Sequence, residues 1–414
     1  MQTFMARLLK LVMTLAVTLL TVSQPGEILS ENHPSTPLSS INVTAISAGE
    51  DHTCALTGSG GVLCWGHNSS GQLGNGSTVD LYAPMYVVGL SSGVASVSAG
   101  GSHTCALTTA GAVKCWGENS SGQLGDGTVI SRLTPVDVSG LSSGVAAISA
   151  GGDHTCALTS TGAVYCWGNN FYGQVGNSSN LNRLVPVVVS GPLVVAAVSA
   201  GGGHDLGGHT GGGHNCLVTT SSNVYCWGDN SSGQLGINST DNQRKPTKIY
   251  SFLVASISSG GKHTCALTAS GAAWCWGYNF YGQVGNNSTS DELTPVSVSG
   301  LSSGVTSISA GGRHTCALTS AGGVKCWGRN IDGELGDDST QNRITPVNVF
   351  GLTNGVASIS AGGYHTCARI TGGTVKCWGY NLYGQLGNGT TTSSPIPINV
   401  VWLTGQIFLP MVRR

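Results

Sequence analysis

Charge is scarce in this sequence: Asp, Glu, Lys and Arg together make up 8% of 414 residues, and the formal net charge is −1. A near-neutral chain so poor in Lys and Arg exerts no general electrostatic pull on nucleic acid or on an anionic membrane surface. Four of its 17 basic residues (Arg7, Lys10, Arg413 and Arg414) lie at the extreme ends. Helical periodicity is missing from the chain beyond residue 23, which argues against a helical domain. The Cys-x-x-Cys spacing of structural zinc sites is missing, as are a phosphate-binding Gly-Lys-Ser/Thr and a paired-acid motif. No catalytic set is visible, and nothing calls for a cofactor. Aromatic residues are few at 6%, and seven of the nine tryptophans fall in one recurring phrase, Cys-Trp-Gly.

What the chain does have is apolar residues, at 40%, ample for a large core. Arg7 and Lys10 precede the apolar run LVMTLAVTLLTV at residues 11–22, which gives way to small and polar residues. A basic start, a dozen apolar residues and a small-residue exit describe a secretory signal peptide over residues 1–23. The run is too short to span a bilayer as a helix. Residues 24–40, in which Pro, Ser and Glu dominate, read as a flexible linker. The mature chain is therefore expected to be secreted or held at the cell surface.

The rest repeats itself. Cys-Trp-Gly recurs with its cysteine at 64, 115, 166, 226, 275, 326 and 377, mostly in steps of 51 residues. Another cysteine stands ten residues earlier in every copy, at 54, 105, 156, 216, 265, 316 and 367. Each copy holds four short runs with strand character; in the third these are AAIS, HTCALT, AVYCW and PVVV. A period near 50 with four strands per unit predicts an all-β, seven-bladed β-propeller over residues 41–401. A linear β-solenoid would need shorter repeats and capping units at both ends. Ring closure should bring the opening segment NVTAIS (42–47) near the closing segment PIPINV (395–400), with one shared blade as an option.

The cysteine spacing has a geometric reading. With Cys156 and Cys166 opposed in a hairpin, Leu158 faces Val164, Thr159 faces Ala163, and the loop is Ser160-Thr161-Gly162. A three-residue hairpin loop ends on a left-handed residue, best glycine. Glycine holds that place in six copies (Gly60, Gly111, Gly162, Gly271, Gly322 and Gly373), and Ser222 holds it in the fourth. The register is thus set independently of the sulfurs, and it places them within disulfide reach. One bridge per blade is expected: Cys54–Cys64, Cys105–Cys115, Cys156–Cys166, Cys216–Cys226, Cys265–Cys275, Cys316–Cys326 and Cys367–Cys377. Export supplies the oxidising compartment. A histidine two residues before each first cysteine (52, 103, 154, 214, 263, 314, 365) recurs in every copy and reads as architecture, a hydrogen-bonding wedge for the preceding turn.

The phrases ISAGGxHTCALT, xVxCWGxNxxGQLG and TPVxV resemble the repeats of the regulator of chromosome condensation family. Gly122-Gln123-Leu124-Gly125 and Arg132-Leu133-Thr134-Pro135 carry its loop and strand motifs, and the likeness runs from residue 41 to about 401. The resemblance implies a seven-bladed propeller. The family's founder is a nuclear guanine-nucleotide exchange factor that also binds chromatin, but this chain carries an export signal and lacks a basic tail. Secreted bacterial members, a β-lactamase inhibitor among them, are the nearer parallel, and they imply extracellular protein binding rather than a particular target.

Positions that vary inside repeated loops are free for recognition. One such series precedes the recurring histidine: Asp51, Ser102, Asp153, Gly213, Lys262, Arg313 and Tyr364. A second follows Cys-Trp-Gly: His67, Glu118, Asn169, Asp229, Tyr278, Arg329 and Tyr380. Acids come early and bases or tyrosines late, so one half of the rim should be negative and the other positive or aromatic. A third pair reads Phe171-Tyr172, Phe280-Tyr281, Ile331-Asp332 and Leu382-Tyr383, with Ser-Ser in the other three copies; these side chains either anchor a partner or pack between blades. The fourth copy carries an insertion, AGGGHDLGGHTGGGHN (200–215), whose His204, His209 and His214 form a weak metal candidate set; a plain surface loop is the simpler reading. The tail, 402–414, should dock on the propeller. The whole predicts a secreted, monomeric, non-enzymatic propeller that binds an extracellular protein through its rim, with no nucleic acid, no membrane span, no cofactor and no metal. Polysaccharide binding through rim aromatics and Asn side chains is the alternative, and nucleotide exchange a weaker one.

Overall fold

The loop between the paired cysteines sets the geometry of each repeat. In the third, Gly162 has φ +86°, Leu158 pairs with Val164, and Cys156 stands directly opposite Cys166. Ser222 takes the same left-handed conformation, φ +62°, in the fourth. All fourteen cysteines form the seven expected bridges, each inside its own hairpin with Cα atoms 4.1 Å apart.

The computed structural model describes residues 41–191, 194–203 and 213–402. The expected signal peptide, the linker, His204, His209 and the tail beyond Trp402 lie outside the described residues. In the third repeat the hairpin strands His154–Thr159 and Val164–Gly168 are flanked by Val145–Ala150 and Arg183–Val188, giving a four-stranded antiparallel sheet in chain order. Seven such sheets form a seven-bladed β-propeller, and there is no helix among the described residues. No described helix is therefore long and apolar enough to cross a membrane.

The first strand of each blade is innermost and its end lines the axis; the fourth is outermost. This arrangement decides how the ring closes. The opening strand Val43–Ala48 belongs to blade one and the closing strand Ser394–Asn399 to blade seven, so no blade is shared. The two segments do meet: Val43 and Val400 sit in one buried cluster, and Trp402 stands edge-on to Trp65 at 6.1 Å.

Two hydrogen-bond belts hold neighbouring blades together. In the inner belt a serine Oγ accepts from the alanine N–H of the next blade, as Ser47 does from Ala99 and Ser98 from Ala150, and Ser360 closes the ring onto Ala48. The second belt uses the recurring histidine. His52 Nε2 lies 2.8 Å from Thr104 Oγ1, and Thr104 donates to the carbonyl of Gln72, which also accepts from Trp116 Nε1. The same set closes the ring through His365, Thr53, Gln385 and Trp65. The threonine's single proton goes to an acceptor-only carbonyl, so the histidine must be the donor at Nε2. The histidine ring's hydrogen bond therefore ties blade to blade, where a bond to its own turn was expected. Each of the seven Cys-Trp-Gly tryptophans is fully buried, which contributes on the order of 4–6 kcal/mol of transfer free energy.

Candidate binding face at the axial mouth

The two variable series are brought together in every blade by one main-chain hydrogen bond. The N–H of His67 donates to the carbonyl of Asp51 at 2.9 Å, Tyr278 to Lys262 at 2.8 Å, Arg329 to Arg313 at 2.9 Å and Tyr380 to Tyr364 at 2.9 Å; Glu118, Asn169 and Asp229 do the same to Ser102, Asp153 and Gly213. Both series therefore lie at one end of the ring. The turns that carry the first series form the inner circle around the axis, and Tyr278 of the second series joins them in lining it.

The loop carrying the second series is rigid for a reason the repeat phrase contains. The asparagine of Cys-Trp-Gly-x-Asn is fully buried. In blade one, Asn68 Oδ1 accepts from Leu73 N–H at 3.0 Å, and its Nδ2 donates to the carbonyls of Ser77 and Val79 at 3.0 Å. One amide thus pins both arms of the loop. The Gly-Gly turn of the inner circle is equally constrained, since a Cβ on Gly49 would come within 2.6 Å of the Gly100 carbonyl and of the His52 ring.

Not every variable residue faces solvent. Asp51, His67, Glu118, Lys262, Tyr278, Arg313, Tyr364 and Tyr380 are half-buried, whereas Asp153, Asp229 and Arg329 are buried. Asp229 uses Oδ2 to accept from Gln234 and Oδ1 to accept from Ser231 N–H. Arg329 pairs with Asp332 at 2.8 Å and with Glu334, which replaces the glutamine of the other six blades. Burial opposes the charge on Arg329, but the Glu334 and Asp332 carboxylates outweigh it and raise its pKa. The charge contrast between half-rims is accordingly weaker at the surface than along the chain.

Aromatic and cationic side chains form two groups of contacts, one from blade five to blade six and one from blade six through blade seven to blade one. Phe280 and Tyr281 are edge-on at 5.0 Å, and Arg313 of blade six lies over Tyr281 at 5.6 Å. Arg329 lies over Tyr364 of blade seven at 5.0 Å. Tyr364 meets Tyr380 at 6.2 Å, Tyr380 meets Tyr383 at 6.1 Å, and Tyr383 reaches His67 of blade one at 4.3 Å. The third variable pair splits its duties: Tyr281 and Tyr383 reach the next blade, while Phe171, Phe280, Ile331 and Leu382 are exposed. Burial, then the neighbouring Glu50 carboxylate, pushes the Tyr364 phenol up to about 12.

The inner circle surrounds a cavity of about 360 Å³, floored by the alanines and glycines of the first strands and walled by Glu50, Lys262, Tyr278, Arg313 and Tyr364.

Models of the regulator of chromosome condensation (RCC1) repeat match residues 43–72, 94–123 and 145–174, and again 59–107, 110–158 and 161–206. The RCC1-like domain model matches residues 208–409. The ultraviolet-B receptor UVR8 of Arabidopsis thaliana is 33% identical over 378 residues, which is 89% of this chain and 73% of the receptor. The chain belongs to the RCC1 repeat family. Human HERC2, an E3 ubiquitin-protein ligase, is 30% identical over 90% of this chain, but the match spans only 7% of that ligase. Among solved structures, yeast RCC1 (Prp20) bound to Kap60 superposes with a TM-score of 0.71 at 21% identity, over 92% of this chain and 90% of that one. Human WBSCR16 gives 0.67 at 24% identity, over 79% and 86%. These two likenesses show the RCC1-type propeller fold.

Of the candidate metal set in this RCC1 propeller, His204 and His209 lie outside the described residues and only His214 is described. His214 is fully buried in the belt, its Nε2 2.8 Å from Thr264 Oγ1, because it is the fourth blade's recurring histidine and not a loop ligand. No group of three potential ligands occurs among the described residues. Sequence reasoning missed the asparagine clamp and the His–Thr–Gln–Trp belt, although their members recur at fixed offsets, with Asn215 for the threonine in the fourth blade and Glu334 for the glutamine in the sixth.

Proposed function

We propose that this chain is a secreted, non-enzymatic, monomeric propeller that binds an extracellular protein at its axial mouth. The observation that carries this reading is the pair of ring clusters, Phe280–Tyr281 and Tyr364–Tyr380–Tyr383–His67, whose backbones are fixed by the repeat while their side chains differ from blade to blade. Aromatic side chains held on a rigid frame are the usual anchors of protein interfaces. Yeast Prp20 is bound to Kap60 in one crystal structure and binds Gsp1p and histones, all proteins, which supports a protein partner for the shared fold. Seven buried disulfides favour an oxidising compartment. The test is affinity capture from culture supernatant with the full secreted chain and with a Tyr278→Ala, Tyr364→Ala, Tyr380→Ala variant. A protein retained by the first and lost at least tenfold by the second is the expected result. Equal retention by both, or capture of glycan alone on a glycan array, overturns it.

A further inference from the structure

The axial cavity is lined by two cations on adjoining blades, Lys262 and Arg313, and by one carboxylate, Glu50. Lys262 of blade five and Arg313 of blade six occupy equivalent places on neighbouring turns, which are joined by the Gly261 N–H to Gly311 carbonyl bond of 3.0 Å. Neither cation has a carboxylate partner among the described residues. Arg329, which does not line the cavity, is paired with Glu334 and Asp332. Tyr278 and Tyr364 stand beside the two cations, both with raised pKa values from burial, so both phenols are protonated donors at neutral pH. Glu50 shares the cavity, and its carboxylate Oε1 would lie 4.0 Å from a Cβ on Gly203 of blade four. An ammonium, a guanidinium fork and two phenol O–H groups on one wall, with no acceptor among them in charged form, are the donor set of a carboxylate site.

We propose that this wall captures the tip of an acidic protein loop, an Asp or Glu side chain entering the axial cavity between Lys262, Arg313, Tyr278 and Tyr364. The inference rests on the protein-binding reading and adds the chemistry of the partner. A cavity of about 360 Å³ holds one or two side chains and not a folded body. The glycine floor leaves room for a main chain to approach. The surrounding exposed Phe280, Ile331 and Leu382 supply the apolar collar that a protein loop needs and a free anion does not.

The experiment titrates the full chain with fluorescein-labelled hexaglutamate at low salt and compares hexalysine and inorganic phosphate. Hexaglutamate is expected to bind, hexalysine is not, and phosphate at equal concentration should not displace the peptide. Lys262→Ser with Arg313→Ser should weaken hexaglutamate at least tenfold, with an unchanged melting curve showing that the ring still folds. Hexaglutamate affinity that ignores the double variant, or full displacement by phosphate, overturns the proposal. A partner captured through the tyrosines but indifferent to the double variant sinks the acidic loop alone and leaves the protein-binding reading standing.

Discussion

Arg329 of blade six lies 5.0 Å above the Tyr364 ring of blade seven, and its guanidinium is held from behind by Glu334, which is fully buried. Blade six is the one copy that trades Gln for Glu at this position, and it is also the one that places Arg after Cys-Trp-Gly. The two changes neutralise each other and aim a ring at the axial mouth. Removing one partner of a buried pair strands the other, at a cost of about 3–5 kcal/mol. Arg329→Ala should therefore lower unfolding free energy by about 3 kcal/mol. Arg329→Asn with Glu334→Gln, which reproduces the Asn169–Gln174 pair of blade three, should come within about 1 kcal/mol of the parent. Urea denaturation of both variants decides it, and equal losses would contradict the coupling.

The histidine belt predicts an acid limit. Burial holds His52, His214, His263, His314 and His365 down to about 3 and His154 to about 4. Unfolded, each would titrate near 6.5. Between those values the unfolded chain binds more protons than the folded one, so acid favours unfolding. Stability should be level above about pH 7 and fall steeply as pH drops through 6 and 5. Thermal melts over that range measure the slope. His263→Gln should make it shallower by about one proton, and an unchanged slope would show that the belt does not govern it.

The hairpin register, the seven bridges and the blade count were legible because each repeat states them independently. Gly162, Cys156 and Leu158 make three statements about one register, and they agree. Ring closure was less legible because it depends on which strand is innermost, and Val43 carries no mark of that in its own neighbourhood. The burial of Asp229 and Arg329 was hidden because a charged letter in a variable column looks like surface; its explanation lies five residues on, at Gln234 and Glu334. The aromatic contacts cross blade boundaries, as that of Tyr383 with His67 does, so no single repeat contains them.

Each bridge closes a short loop within one hairpin, so its loss should be local. The chain-entropy model gives roughly 2–3 kcal/mol for a loop of this length. Cys105→Ala with Cys115→Ala should cost about that much and leave the other bridges intact. Thiol titration of the parent in denaturant should find no free thiol. Mixed disulfides in a peptide map, joining one repeat to another, would show that the hairpins do not choose the pairing.

Asn68, Asn119 and Asn238 all carry the Asn-x-Ser/Thr acceptor pattern, but the fold treats them differently. Asn119 is fully buried, and its Nδ2 donates to Asp126 Oδ1 and to the carbonyls of Thr128 and Ile130 at 3.1 Å. A glycan on that nitrogen would break the clamp and leave no room for the loop. Asn238 is exposed, in the left-handed region at φ +56°. Folded chain secreted from a host that glycosylates should therefore carry glycan at Asn238 and none at Asn68 or Asn119. Enzymatic deglycosylation, which converts an occupied Asn to Asp, followed by peptide mass mapping reads each site separately. Occupancy at Asn119 in folded material would contradict the clamp that positions the second variable series.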